Sequence, residues 1–185
     1  MEQTDDELLQ GFKDGKSEAV AAVVQTYYTP LLNYLIRLGC PRRDAEDLVQ
    51  DCFIKAGKGM QSYQPRKDFR YWLFRIASNS YKDFVKKASN RRELLVNINK
   101  LDVVDQKKDT DPVDMIIQRD RENHVRQAIQ NLPEVQRMSI ILQYYHGFSV
   151  NEIAAIMNCP VGTVTSRIHY AIKQLRKILG GEMNQ

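Results

Sequence analysis

From Tyr63 to Arg92 the chain reads YQPRKDFRYWLFRIASNSYKDFVKKASNRR, a stretch that allows few folds. Phe69, Trp72, Leu73, Ile76, Ala77, Ser80 and Phe84 recur at three- and four-residue spacing, which predicts one long amphipathic helix from Phe69 to about Lys87. Arg75, Ser78, Asn79, Lys82, Asp83 and Lys86 are expected on its outer face. Between Gln64 and Arg92 nine Lys/Arg stand against two acids, more positive charge than the net +4 of the whole chain. A polyanionic partner follows from this excess. Met60 to Asp68 has no apolar period and reads as a loop ahead of the helix. Its Met60 and Tyr63, with Phe69, Tyr71 and Trp72 beyond, set rings beside cations. Single-stranded nucleic acid needs that combination, since each stacked base contributes about 1–3 kcal/mol. Phe69 and Trp72 also suit a core, and the charges alone would suit a solvated face.

The same helical period runs through most of the remaining chain, so the expected fold class is all-α. Thr4 to Glu7 has the T-x-x-E form of a helix start, and Ser17 opens a pattern through Val20, Val23, Val24, Tyr27 and Tyr28. Pro30 is expected at a break or in the first turn of a following helix with Leu31, Leu32, Leu35, Ile36 and Leu38, which Gly39, Cys40 and Pro41 end. Asp44 is the expected N-cap of the next helix. There Ala45, Leu48, Val49, Cys52, Phe53 and Ala56 make one stripe, and Glu46, Asp47, Gln50, Asp51, Ile54, Lys55 and Lys58 the other side. An acidic face in an otherwise basic region repels DNA and suits a protein surface.

After Arg92 the composition shifts. Residues 102 to 122 hold seven acids and four bases with few large apolar residues before Met115, so 93–113 reads as a flexible linker between two small helical domains, 1–92 and 114–185. Met115 to Asn131 is expected to be helical, burying Met115, Ile116, Val125, Ala128, Ile129 and Leu132. A further helix from Pro133 or Glu134 uses Val135, Met138, Ile141, Leu142 and Tyr145 and stops at Gly147. Ser149 to Glu152 forms a capping box, and Asn158, Cys159 and Pro160 make a turn. Pro160 suits the first position of a last helix that buries Val164, Ile168, Ala171, Ile172, Leu175 and Leu179. That helix carries Arg167, Lys173, Arg176 and Lys177 and no acid before Glu182. Two helices across a tight turn match the helix-turn-helix, whose second member enters the major groove. Its base-facing candidates are Thr163, Thr165, Ser166, Arg167, His169 and Tyr170, although the hydroxyls and Arg167 could equally hold phosphates.

With 43% apolar and 27% charged residues in 185, the chain has the composition of a soluble globular protein. Without a membrane-length apolar run, and with an acidic start, MEQTDDELLQ, it is expected in the cytoplasm. Cys40, Cys52 and Cys159 are odd in number and lack CxxC spacing, which fits reduced thiols. His124, His146 and His169 are scattered, and HExxH, G-x-S-x-G and a Gly-rich phosphate loop are absent, so neither an enzyme nor a metal or cofactor is expected.

Three segments together, DAEDLVQDCFIKA (44–56), FRYWLFRIASNSYKDFVKK (69–87) and LPEVQRMSIILQYYHGFSVNEIAAIMNCPVGTVTSRIHYAI (132–172), resemble an extracytoplasmic function (ECF) sigma factor of bacterial RNA polymerase. The resemblance implies a sigma region 2-like bundle that recognises the −10 element and a region 4-like helix-turn-helix that reads the −35 duplex. It places Met60, Tyr63, Phe69, Tyr71, Arg75, Asn79, Lys82 and Lys86 at unpaired −10 DNA, with a flipped base in the loop. Thr163, Thr165, Ser166, Arg167, His169, Tyr170 and Lys173 fall at the −35 element. Asp47, Gln50, Asp51, Ile54 and Lys55 fall on the clamp coiled coil of the polymerase largest subunit, and the second domain on the polymerase flap. The linker would thread towards the RNA exit path. An anti-sigma factor, in many members membrane-anchored, is a further implied partner, and the chain alone would be a monomer. Many members carry Lys or Arg where Thr165 stands and Arg where Tyr170 stands, so the promoter sequence cannot be copied from a relative. With only Gly180 to Gln185 left, no further C-terminal domain is expected. The rival is a conventional helix-turn-helix repressor or activator binding duplex DNA as a dimer.

Overall fold

The computed structural model of the chain describes residues 5–63, 68–91 and 122–181. Among them the regular structure is helical without a strand, and the chain groups into two compact units. The Thr4 start signal, loop positions 64–67, the linker at 93–113 and the first turns expected from Met115, with Met115 and Ile116, lie outside the described residues.

The first unit holds α1 (Asp5–Lys13), α2 (Ser17–Arg37), α3 (Arg42–Gly59) and α4 (Phe69–Arg91). Val23, Leu31, Leu35, Ile36, Val49, Cys52, Ala56, Leu73, Phe74 and Ala77 are fully buried between them. Pro30 does not break the chain as expected; α2 runs through it for 21 residues. Proline costs about 3 kcal/mol inside a helix. Leu31, Leu32, Leu35 and Ile36 just beyond it are buried, at about 1.5–3 kcal/mol each, and that outweighs the missing bond. Gly39, at φ 102°, ends the segment, and the Cys40 amide donates to the Leu35 carbonyl at 3.1 Å. Asp44 is not the N-cap of α3. Pro41 holds that place, its carbonyl accepting from the Ala45 amide at 2.8 Å, and Asp44 lies in the first turn, where its charge still complements the helix dipole.

The second unit holds α5 (122–130), α6 (Glu134–Ile140), a π-helical turn (Ile141–Tyr145), α7 (Val150–Met157) and α8 (Val161–Gly181). Glu134 opens α6 after Pro133, and α6 continues through a wider turn that ends at Gly147, φ 69°, where the Phe148 amide donates to the Leu142 carbonyl at 3.1 Å. An inserted residue of this kind shifts the helix face. Tyr145, expected inside, is accordingly 42% exposed, and Val125 and Val135 are also exposed rather than buried. Met138, Ile141, Leu142, Phe148, Ile153, Ile156, Val164 and Ala171 form the core. Ile172, Leu175 and Leu179, expected in it, are half-buried and line an open apolar groove with Val125, Ile129 and Tyr144.

Candidate nucleic-acid interface

The end of α3 and the start of α4 carry an aromatic cluster. Met60, 2% exposed, opens a single 3-10 turn (Met60–Ser62), and the Tyr63 amide donates back to its carbonyl at 3.2 Å. Asp68 begins α4: its carboxylate accepts from the Arg70 amide at 2.9 Å and its carbonyl from the Trp72 amide. Phe69 then meets Phe12, Tyr27 and Tyr63 edge-on at 5.6–5.8 Å and Trp72 at 5.6 Å. Phe69 is thus a buried hub, and Tyr63 and Trp72 are half-buried with rings 5.1 Å apart. Gly59 lets this happen, since a Cβ there would come within 3.2 Å of the indole.

Beyond the cluster, Arg75, Asn79, Lys82, Asp83 and Lys86 lie at i, i+4, i+7, i+8 and i+11, all exposed or half-buried, as one strip along α4. The expected residues therefore separate into two kinds. Tyr63, Arg75, Asn79, Lys82 and Lys86 are available to a ligand, whereas Met60, Phe69 and Tyr71, the last 8% exposed, face inward and set the shape behind it. Ser78, expected outside, is fully buried: its Oγ and the Tyr34 hydroxyl lie 2.8 Å apart, so a core tyrosine 44 residues away supplies its partner.

On α3, Asp47, Gln50, Asp51, Ile54 and Lys55 are exposed, with the apolar Ile54, at 54%, following the acids Asp47 and Asp51 and preceding Lys55 and Lys58. The Lys55 ammonium turns toward α4 and donates to Ser80 Oγ at 2.8 Å. Beneath it, burial pushes the Cys52 thiol up to about 11, against smaller lowering by Ser80 and Lys55. Burial, with the Asp44 charge adding to it, pushes Cys40 up to about 12. Both are neutral thiols at ordinary pH.

In the second unit the capping box forms in full. Ser149 Oγ accepts from the Glu152 amide at 3.3 Å, and the Glu152 carboxylate accepts from the Ser149 amide at 2.7 Å. Asn158 takes the left-handed conformation, φ 52°, and Asn158 and Cys159 both donate to the Ala154 carbonyl. Pro160 precedes the first helical residue instead of occupying it; its carbonyl accepts from the Thr163 and Val164 amides, and α8 starts at Val161. Thr165, Ser166, His169, Tyr170 and Lys173 are exposed on α8, and Thr163 and Arg167 half-buried. The Thr165 and Ser166 hydroxyls donate to the Val161 and Gly162 carbonyls, which turns their lone pairs outward. Arg167 leans back, with Nη1 donating to Cys159 Sγ at 3.4 Å. Sequence reasoning missed Tyr144, 62% exposed at the groove and off the stripe that Met138, Ile141 and Leu142 make.

This geometry has close counterparts. Residues 23–91 match sigma-70 region 2, and residues 123–175 match sigma-70, region 4. The ECF RNA polymerase sigma-E factor of Haemophilus influenzae is 34% identical over 173 residues, 91% of this chain and 91% of that protein. The chain belongs to the ECF sigma-70 family. The corresponding factor of Escherichia coli strain K12 is 33% identical over 91% of this chain and 90% of its own length. Among solved structures, the sigma factor RpoE of Bartonella quintana, in complex with the anti-sigma factor NepR, matches with TM-score 0.68 and 27% identity over 91% of this chain and 98% of that one. As an ECF sigma factor the chain directs core RNA polymerase to specific promoters and initiates transcription; it is not an enzyme, and the dimeric-repressor reading is not favoured. Among the described residues no group of three or more His, Cys, Asp or Glu could hold a metal, and no helix is long and apolar enough to cross a membrane.

Proposed function

We propose that the two units of this ECF sigma factor divide promoter recognition by the physical form of the DNA. The strip Arg75, Asn79, Lys82 and Lys86, leading from the half-exposed Tyr63 and Trp72, takes the unpaired −10 strand: cations follow the phosphates while rings and an amide hold a flipped base. Extruding a base costs a few kcal/mol, so capture of the flipped form favours melting. The exposed α8 residues Thr165, Ser166, His169, Tyr170 and Lys173, with Arg167 and Thr163 behind them, read the −35 duplex. The observation that carries this reading is the pairing of one cationic helix beside clustered rings with another at a capped helix-turn-helix. Each suits a different state of the same polymer.

In this reading the acidic face of α3, with Ile54 at its end, docks on the polymerase clamp through Asp47, Gln50 and Asp51, with Lys55 at its margin. The apolar groove of the second unit receives the flap, and 93–113 joins the two domains. An anti-sigma factor would hold the chain inactive, a proposal supported by the Bartonella quintana complex. If that partner is membrane-anchored, the factor waits at the membrane and moves to the nucleoid on release. A run-off transcription assay with bacterial core enzyme tests the whole: the chain should make transcription start from an asymmetric two-element promoter. Failure to bind core, together with dimeric binding to an inverted repeat, would overturn it.

A further inference from the structure

Asn79 is the one outward residue in a run of five. Around it Ala77, Ser78, Ser80 and Tyr81 are 0, 0, 3 and 4% exposed. At 100° per residue, Ser78 and Ser80 fall on the two flanks of the accessible strip of α4, and this side chain stands on the strip between them. The two serines beside it are polar groups placed in a core, and each finds its partner on a different helix. Ser78 Oγ and Tyr34 of α2 lie 2.8 Å apart in the buried interior. On the opposite flank Lys55 of α3 donates to Ser80 Oγ, also at 2.8 Å. A helix held by apolar contact alone can rotate or slide by fractions of an ångström at small cost. Hydrogen bonds weaken steeply with angle and distance, so one on each flank fixes both the rotation and the height of this turn. Buried hydroxyls add little net stability over apolar groups of the same shape, which places their value in geometry.

We infer that Tyr34–Ser78 and Lys55–Ser80 are paired positioning contacts that hold the Asn79 turn of α4 in the orientation an unpaired promoter base requires. Tyr34 and Lys55 thereby act on strand capture without touching DNA. The inference deepens the reading given above and rests on the assignment of Asn79 to the −10 strand. Lys55 has a double place under it, since the residue at the margin of the docking face also sets the register of the strand-binding helix.

The test is a double-mutant cycle on the holoenzyme, with single-stranded DNA selected by the wild-type holoenzyme from a random pool as the probe. Asn79→Ala should weaken binding. Tyr34→Phe and Ser80→Ala, each removing one hydroxyl, should weaken it by about three- to tenfold in the otherwise native protein. Once Asn79 is Ala, either change should cost nothing further, because contacts that work through one side chain are not additive with its loss. Equal losses in both backgrounds would show a general structural role and overturn the inference, as would no loss from either variant alone. If Asn79→Ala itself binds normally, the strand assignment fails and the inference falls with it. Thermal unfolding of Tyr34→Phe separates a positioning effect from lost fold: a binding defect that tracks the melting temperature rather than Asn79 also counts against it.

Discussion

Asn79 and Tyr63 are accessible side chains next to buried ones, and the distinction decides what their removal does. Tyr63→Ala and Asn79→Ala should leave closed-complex formation nearly intact while lowering the permanganate reactivity of promoter thymines, the signature of impaired opening. On α8, Arg167 must leave its contact with Cys159 to reach DNA, so Arg167→Ala should weaken −35 duplex binding in a mobility shift by about 1–3 kcal/mol if it reads a base. A weaker, sequence-independent loss would mark it as a phosphate contact. Burial raises Cys40 to about 12 and Cys52 to about 11 from 9.0, so their folded forms bind protons more tightly than the unfolded chain. The stability they contribute is fully present below pH 9 and falls as pH rises through 11 and 12, which denaturant titrations across that range would show. The strip Arg75, Asn79, Lys82 and Lys86 was legible in the sequence because helix spacing is local. Ser78 was not, because a serine reads as a surface residue until Tyr34, far along the chain, is seen to satisfy it.

Helices were legible for the same reason, and their ends less so. Pro30 and Pro41 show why: whether a proline breaks, enters or caps a helix depends on what the residues after it bury, and sequence spacing carries only part of that. Pro30→Ala should restore a bond to the Thr26 carbonyl and raise stability by about 1 kcal/mol, read as a higher melting temperature. Ser149→Ala removes the side-chain half of the capping box at the start of α7, leaving the backbone amide of residue 149 on the Glu152 carboxylate, and should destabilise the second unit by about 1 kcal/mol. The acidic face of α3 was visible as a pattern, but the bond that draws Lys55 away from it to Ser80 was not, since it spans 25 residues. Charge reversal at Asp47 and Asp51 should abolish retention by core polymerase in a pull-down while leaving duplex binding by α8 intact. Retention of core would remove the docking assignment.

At the level of the whole chain a net charge of +4 is modest, and what matters is where it is concentrated. If Lys173, Arg176 and Lys177 supply about three phosphate contacts, duplex binding should fall on the order of tens of fold between 50 and 200 mM salt. The two-domain division could be read from the acidic stretch after Arg92, because composition changes there; the groove of the second unit could not, because its lining comes from α5, the π turn and α8, which are far apart in sequence. The chain contains a single tryptophan, and it stands at Trp72, its ring 5.1 Å from that of Tyr63. Indole emission is sensitive to a neighbour's arrival, so the unmodified polypeptide carries its own optical reporter at the place where a base would enter, and the kinetics of opening could be followed without attaching a dye.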